Sequence, residues 1–427
     1  MILEKFVLKK VTSERLAELC SSDGEFMMLA RYWNGGLRLG MGDTVLALKM
    51  TGGLPGVGTA DGDGCFSISG PAEVWDKVLA AVPARGYNDA FIAMTSGLVQ
   101  SGDLLALWQY YPALQRGVQL LREEMHGAAA KPVVARMPAK KPGTFDSPVG
   151  RYIHVGIDGL DYRIYFEEAG QGIPLLLQHT AGSHGSQWRH LFEMPEITDH
   201  FRLIAYDLPY HGKSLPPDGS RWWADEYRLT RDFAMAAPLA PNAALGLERS
   251  VFMGCSVGGL LALDLAAYHP EAFRAVISLE PALKVEGRRE AMAGFWHPQV
   301  SNEFKARLML GLMSPTSPEA RRMETVFAYS SGWPPAFLGD LFYYIDDHDL
   351  TQEAANIDTT KVPVYLLTGE YDNSATIEHG RAAHEAIAGS SFAVMEGIGH
   401  FPMSEDPEGF ARHLLPVLET IRVGSQK

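Results

Sequence analysis

Between the apolar run Ser250–Met253 and the helical run Leu260–Tyr268 the chain reads Gly254-Cys255-Ser256-Val257-Gly258-Gly259, and no other stretch of its 427 residues constrains the fold as much. A serine at a sharp strand-to-helix turn takes a strained backbone conformation that exposes its hydroxyl. Glycines two before and two after it remove the Cβ atoms that would clash. The helix that opens behind it offers free N–H groups and the positive end of its dipole to an oxyanion. Taken as five letters, G-x-S-x-G also occurs in ordinary glycine-rich turns with a solvated serine. Its flanking strand and helix make this one a nucleophile elbow.

The surrounding sequence supplies the scaffold such a turn needs. Tyr152–Ile157 and Tyr162–Glu168 read as two strands joined by a turn, followed by strands at Pro174–His179, Arg202–Asp207, Ser250–Cys255, Arg274–Glu280, Val362–Gly369 and Ser391–Glu396. Helical patterns alternate with them at Val257–His269, Thr376–Ile387 and Asp406–Ile421. That alternation predicts an α/β fold with a mostly parallel, doubly wound sheet. An irregular, aromatic-rich run of about 70 residues after Glu280 interrupts it. Upstream, Pro132, Pro138, Pro142 and Pro148 break any regular pattern over residues 126–149, where we place a linker.

A serine hydroxyl is a weak nucleophile, needing a base that is in turn oriented by an acid, and in this architecture the chain order is serine, acid, histidine. Asp372 ends the loop after Val364–Gly369, and His400 follows a strand and the turn Gly397-Ile398-Gly399. Both would stand at C-terminal strand ends, where open α/β sheets bind their ligands. Glu280 closes another strand and is the competing acid, with a polar cap as its plain alternative. The strand Leu175–Gln178 runs into His179-Thr180-Ala181-Gly182, whose Ala181 (or Thr180) amide could face the Val257 amide across an oxyanion. His179 reads as structural.

On these residues the chain from about 152 to 421 resembles the α/β-hydrolase superfamily. The likeness rests on His179–Gly182, on Asp207-Leu208-Pro209-Tyr210-His211-Gly212-Lys213-Ser214, on the elbow, and on the Asp372 and His400 segments. In that superfamily the second motif usually reads Asp-x-x-Gly-x-Gly-x-Ser. Here Tyr210 and His211 stand in its middle, and Thr180 replaces a usual glycine. The resemblance implies the α/β-hydrolase fold for residues 150–427, with a helical cap at about 283–355. It also implies a Ser256–His400–Asp372 triad with Val257 and Ala181 as oxyanion donors, and no cofactor or metal. The expected activity is hydrolysis of a carboxylic ester or lactone of a small apolar or aromatic substrate through an acyl-enzyme. The alternatives are a carbon–carbon bond hydrolase of ring-cleavage products and a non-catalytic binding protein on the same fold. Serine at 256 argues against a dehalogenase, which uses a carboxylate. Candidate pocket residues are Thr180, Trp188, Trp296, Tyr329, Trp333 and Tyr343. Asp346-Asp347-His348-Asp349 reads as a solvated turn or helix cap, because adjacent residues seldom converge on one ion.

Residues 1–125 form the remaining domain, a small α+β unit. Glu14–Tyr32 reads as helix, Leu37–Met50 as an alternating strand, Cys65–Gly70 as a strand and Ala72–Ala81 as a helix, with Asp61-Gly62-Asp63-Gly64 as a hairpin turn. The run Phe66–Trp75, then Ala93–Gly97 and Gly102-Asp103 before a helix, is similar to a sterol-carrier-protein-type lipid-binding domain. This domain is expected to contribute no chemistry and either to bury part of an apolar substrate or to join copies of the chain into a homo-oligomer; assembly is favoured, because a binding domain would have to pass substrate across a flexible tether. Lys plus Arg number 37 against 51 Asp plus Glu, a net charge of −14, which disfavours nucleic acid and membrane surfaces as partners and leaves a small-molecule substrate. No 18-residue apolar stretch or export signal is visible, so a cytoplasmic location is expected. Three cysteines are too few for a disulfide frame or a zinc cage.

Overall fold

The computed structural model describes residues 11–127 and 140–424, so residues 128–139 of the expected linker lie outside it. The chain forms two compact units. The first takes its described residues from Met1–Pro132 and His297–Thr316, the second from Val133–Trp296 and Ser317–Lys427.

The first unit runs α1 (Ser13–Ser22), α2 (Gly24–Leu29), β1 (Gly35–Met41), β2 (Thr44–Thr51), β3 (Leu54–Gly56), β4 (Cys65–Gly70), α3 (Ala72–Val78), β5 (Val99–Gly102) and α4 (Leu104–His126). Its sheet has the order β3-β2-β1-β4-β5. The expected helix 14–32 breaks at Asp23, whose carboxylate caps α2 by accepting the Phe26 amide at 2.7 Å. The expected single strand 37–50 is a hairpin, β1 against β2 with Met41 opposite Thr44. Val45 and Ala47 continue the odd-numbered apolar pattern of Leu39 and Met41, but the two-residue turn at Gly42, φ +60°, moves the buried face to Leu46, Leu48 and Met50 in β2. Asp61–Gly64 makes no hairpin, since it feeds β4, which runs parallel to β1. Trp33 stacks between Phe66 and Tyr110 at 5.3 and 4.6 Å, in a core shared with Trp75 and Tyr111.

Residues 297–316, expected inside the cap, pack in this first unit. The helix Asn302–Leu308 places Phe304 edge-on to Tyr111 at 5.6 Å. Asn88 Nδ2 donates to the carbonyls of Gly311 and Met313 at 2.7 and 3.1 Å, and Gln115 donates to that of Arg307 at 3.1 Å. Arg307 also pairs with Glu25 at 2.7 Å.

Counting that helix as α8, the second unit runs β6 (Val149–Ile157), β7 (Leu160–Ala169), β8 (Ile173–Gln178), α5 (Pro195–Thr198), β9 (Phe201–Tyr206), α6 (Arg231–Ala244), β10 (Ser250–Cys255), α7 (Val257–Tyr268) and β11 (Phe273–Leu279). It resumes with α9 (Glu319–Ser330), α10 (Pro334–Leu341), a π-helical turn at Phe342–Asp347, β12 (Val364–Gly369), α11 (Ile377–Ala386), β13 (Ser391–Met395), α12 (Pro402–Glu405) and α13 (Pro407–Gly424). The eight-stranded sheet has the order β13-β12-β11-β10-β8-β9-β7-β6. It is parallel from β13 to β9, while β7 pairs antiparallel with β9 and β6. Every residue of β10 is buried, as expected for a strand covered on both faces. The register of β8, β10, β11, β12 and β13 brings their C-terminal ends side by side at one edge of this layer. Among the described residues no helix is long and apolar enough to cross a membrane.

Candidate active site

Ser256 joins β10 to α7 with φ 59° and ψ −115°, a conformation that L-residues adopt only under constraint. The constraint is close packing at the glycines. A Cβ on Gly254 would run into the carbonyl of Gly258, and one on Gly259 into that of Leu279. The Ser256 amide donates to Leu279 O at 3.0 Å, pinning the elbow to β11. The helix that follows has Val257 at its first position, and among the described residues that amide has no protein partner.

The ends of β12 and β13 supply the base and its acid. His400 Nδ1 lies 2.7 Å from Asp372 Oδ2, and both residues are buried. The other oxygen of Asp372 accepts the amides of Ser374 and Ala375 at 2.6 and 3.2 Å. A carboxylate so held orients the ring with Nδ1–H toward itself and leaves Nε2 as the basic nitrogen. Glu280 sits at the end of β11 with φ 59° and no exposure. Its carboxyl accepts the Gly369 amide at 2.9 and 3.1 Å. Burial, then the neighbouring Asp372 charge and a hydrogen bond to it, push Glu280 well above the usual carboxylate range. Its protonated form is thereby favoured, and the acid that meets His400 is Asp372.

Beyond β8 the turn His179–Gly182 is fastened residue by residue. His179 donates from Nδ1 to the Thr180 carbonyl at 2.8 Å and accepts the Leu208 amide on Nε2 at 3.0 Å. That pattern needs a neutral ring, in keeping with burial holding His179 well below its ordinary value. The Thr180 amide and hydroxyl both donate to Gln187 Oε1, at 3.1 and 3.0 Å, and Gly182 N–H donates to Asp340 at 2.7 Å. Of the two amides considered from sequence, Thr180's is thus spent, whereas Ala181's has no protein partner among the described residues.

The pocket residues expected from sequence scatter. Tyr329 meets the Thr180 hydroxyl through its own and packs edge-on to Phe401 at 5.5 Å. Trp333 and Trp296 line a cavity of about 790 Å³ together with Trp222, Trp223 and Tyr227. Trp188 is fully buried in the core among Leu175, Leu203 and Phe201. Tyr343 faces inward too, donating to Asp264 at 2.5 Å.

Its neighbour Tyr344, not singled out from sequence, is buried as well. Its phenol lies 3.0 Å from the Ser374 hydroxyl, two residues past Asp372, and burial raises its pKa. The π-helical turn explains the omission: the extra residue per turn shifts the register that a 3.6-residue period would assign. Asp346 to Asp349 diverge, toward Arg289, the Arg231 amide, Asp264 and Lys284 respectively. Among the described residues no group of three His, Cys, Asp or Glu could hold a metal.

Residues 173–407 match the family model described as alpha/beta hydrolase fold. Over 269 residues, 59% of this chain and 96% of the relative, the sequence is 24% identical to a pimeloyl-(acyl-carrier protein) methyl ester esterase of Vibrio vulnificus. Over 280 residues, 63% and 91% of the two chains, it is 23% identical to a 2-hydroxy-6-oxo-6-(2'-aminophenyl)hexa-2,4-dienoic acid hydrolase of Metapseudomonas resinovorans. The structure of an esterase from Thermogutta terrifontis superposes with a TM-score of 0.54 at 20% identity, covering 64% of this chain and 99% of that one, a likeness of fold.

Proposed function

The chain belongs to the α/β-hydrolase fold family, and on that premise we propose that it is a serine hydrolase of carboxylic esters or lactones. The observation that carries this reading is the strained Ser256 at the strand ends that also bear the His400–Asp372 pair at 2.7 Å. In the reaction Ser256 Oγ attacks the carbonyl carbon while its proton passes to His400 Nε2. Asp372 keeps the ring in the tautomer that can accept it and stabilises the imidazolium. The negative charge on the carbonyl oxygen goes to the Val257 and Ala181 amides, each such donor contributing about 3–4 kcal/mol. Collapse releases the alcohol, which takes the proton from His400, and leaves an acyl-serine. Water, deprotonated by the same nitrogen, then releases the acid and restores the hydroxyl.

A second reading, hydrolysis of a carbon–carbon bond in a ring-cleavage product, is supported by the similarity to the Metapseudomonas enzyme. The two separate by substrate: turnover of short-chain aryl esters with no action on a vinylogous 1,5-diketone supports the first. A fluorophosphonate probe tests the nucleophile common to both. It is expected to label the wild type and not Ser256→Ala; labelling that persists in the variant removes the serine mechanism.

For the first unit we keep assembly as the role. Tyr32 and Leu54, 80% and 64% exposed, stand at the β3 edge of its sheet, which among the described residues pairs with no strand beyond β2, an apolar edge suited to a second copy. Leu54→Lys is expected to lower the oligomeric state in light scattering without changing turnover per chain. An unchanged assembly would remove that role for the β3 edge.

A further inference from the structure

Asp340, on α10, takes no part in the scheme above, yet it is fully buried and accepts from three directions. Its Oδ2 accepts the Gly182 amide at 2.7 Å and lies 2.9 Å from His211 Nε2. Its Oδ1 accepts the Tyr227 hydroxyl at 3.1 Å. The other nitrogen of His211, Nδ1, lies 2.9 Å from the Pro209 carbonyl. A carbonyl can only accept, so Nδ1 bears a proton, and a carboxylate that already takes an amide and a phenol requires Nε2 to donate as well. His211 is then an imidazolium, and with Asp340 it forms a buried ion pair whose charges cancel locally. Burial opposes the imidazolium, but Asp340 outweighs it and holds His211 above the ordinary histidine value. Asp207, His179, His184 and Tyr227 are further titratable groups around the ring.

The same helix closes the turn sterically. Gly182, at φ +61°, packs so closely on Phe337 that a Cβ there would collide with its ring. One face of α10 therefore grips the residue after Ala181 by a hydrogen bond and by contact. With Thr180 fastened to Gln187 on the other side, the Ala181 amide is held between two fixed neighbours and has no protein acceptor among the described residues.

We propose that Asp340, charge-compensated by His211, is the positioning residue of the oxyanion turn: it fixes Gly182 and so sets where the Ala181 N–H points during acyl transfer. The proposal rests on the serine-hydrolase reading. Asp340 itself touches neither substrate nor nucleophile. Its consequence is that the insertion between β11 and β12 does more than cover a pocket, since one of its helices sets a catalytic donor.

The test uses the full-length protein. Asp340→Leu keeps close to the side chain's size and removes both its charge and its acceptor oxygens, so Nε2 of His211 loses its counter-ion and Gly182 its fixed acceptor. On a short-chain aryl ester kcat is expected to fall about tenfold to hundredfold with KM within about threefold, because a displaced donor is felt in the transition state more than in the ground state. Affinity for an aryl trifluoromethyl ketone, which forms a tetrahedral adduct with a serine, is expected to fall by the same factor as kcat/KM. Wild-type kcat in a folded Asp340→Leu protein overturns the proposal, and so does a loss confined to KM. Should the variant fail to fold, the wild type decides by a ¹⁵N-histidine NMR titration. One ring is expected to keep its second proton to a higher pH than an ordinary imidazole, and a titration in which no ring does so overturns the proposal. Failure of the serine-hydrolase reading is seen separately, as fluorophosphonate labelling that persists in Ser256→Ala.

Discussion

In the first unit Asp89 spends both of its carboxylate oxygens. Oδ1 accepts the Phe91 and Ile92 amides at 2.7 and 3.3 Å and the Tyr111 hydroxyl at 2.5 Å, and Oδ2 accepts Gln115 at 2.7 Å. In the second unit Asp372 is anchored to backbone amides in the same manner through Oδ1, but its Oδ2 goes to His400, whose far nitrogen has no protein partner among the described residues. The first network is closed and orders a loop. The second is open at one end, and an open end is what can move a proton. Burial and short hydrogen bonds are common to both, so neither alone marks a catalytic carboxylate.

The same substitution in the two places separates them most widely. Asp372→Asn can still accept the Ser374 and Ala375 amides but presents an NH₂ to His400, favouring the wrong imidazole tautomer. Turnover is expected to fall about 10⁴-fold with the melting temperature little changed. Asp89→Asn is expected to do the reverse, costing about 1–3 kcal/mol of stability in a denaturant titration while kcat per active site stays at the wild-type value. A loss of kcat in folded Asp89→Asn, or a wild-type rate in Asp372→Asn, would break the comparison.

The next effect concerns residues 297–316, which follow the second unit's strands in sequence and belong to the first unit in space. Phe304, Leu308 and Met309 are buried there. Removing residues 1–139 strands these side chains, and the remaining chain is expected to aggregate in gel filtration. Replacing 297–316 with a short Gly-Ser linker in the same truncated chain is expected to restore a single soluble species. A truncated chain that is monodisperse with the segment intact would show that it does not need the first unit.

Where the sequence was readable, it was because one residue type solves one local problem. Ser256 between Gly254 and Gly259 is such a case, since close backbone approach leaves glycine little competition. The buried parallel strands are another, each a short apolar run bounded by turn residues. His400 and Asp372 were legible through their places after strands, and the structure puts them in contact. What stayed hidden depends on partners distant in sequence. Asp340 looks like any acid in an aromatic run until Gly182 and His211 are brought to it over separations of 158 and 129 residues. Tyr344 could not be told from Tyr343 while the π-helical turn was unknown. The segment 297–316 gave no composition change to announce that it leaves the sheet domain, and the 41/44 turn was masked by Val45 and Ala47, which continue the odd-numbered apolar pattern on the face opposite the buried Leu46 and Leu48.

The smallest expected effect is also the sharpest test of which carboxyl serves as the acid. Glu280 lies beside Asp372, and burial together with that charge raises its pKa well above 4.5. A group whose pKa is raised by folding gives the native state extra proton affinity: the stability this brings is present below the unfolded value and is lost as pH rises through the folded one. Wild-type stability should therefore decline with pH on account of Glu280 once the unfolded carboxyl begins to ionise. Glu280→Gln copies the neutral acid, accepting the Gly369 amide through Oε1 and donating from Nε2 toward Asp372. It cannot ionise in either state, so the melting temperature of the variant relative to wild type is expected to climb between about pH 5 and pH 8. Turnover is expected to change by less than about tenfold, far short of the loss in Asp372→Asn. A pH-independent difference in melting temperature would mean that Glu280 is ionised in the folded protein. A loss of kcat as deep as that of Asp372→Asn would move the orienting acid from Asp372 to Glu280.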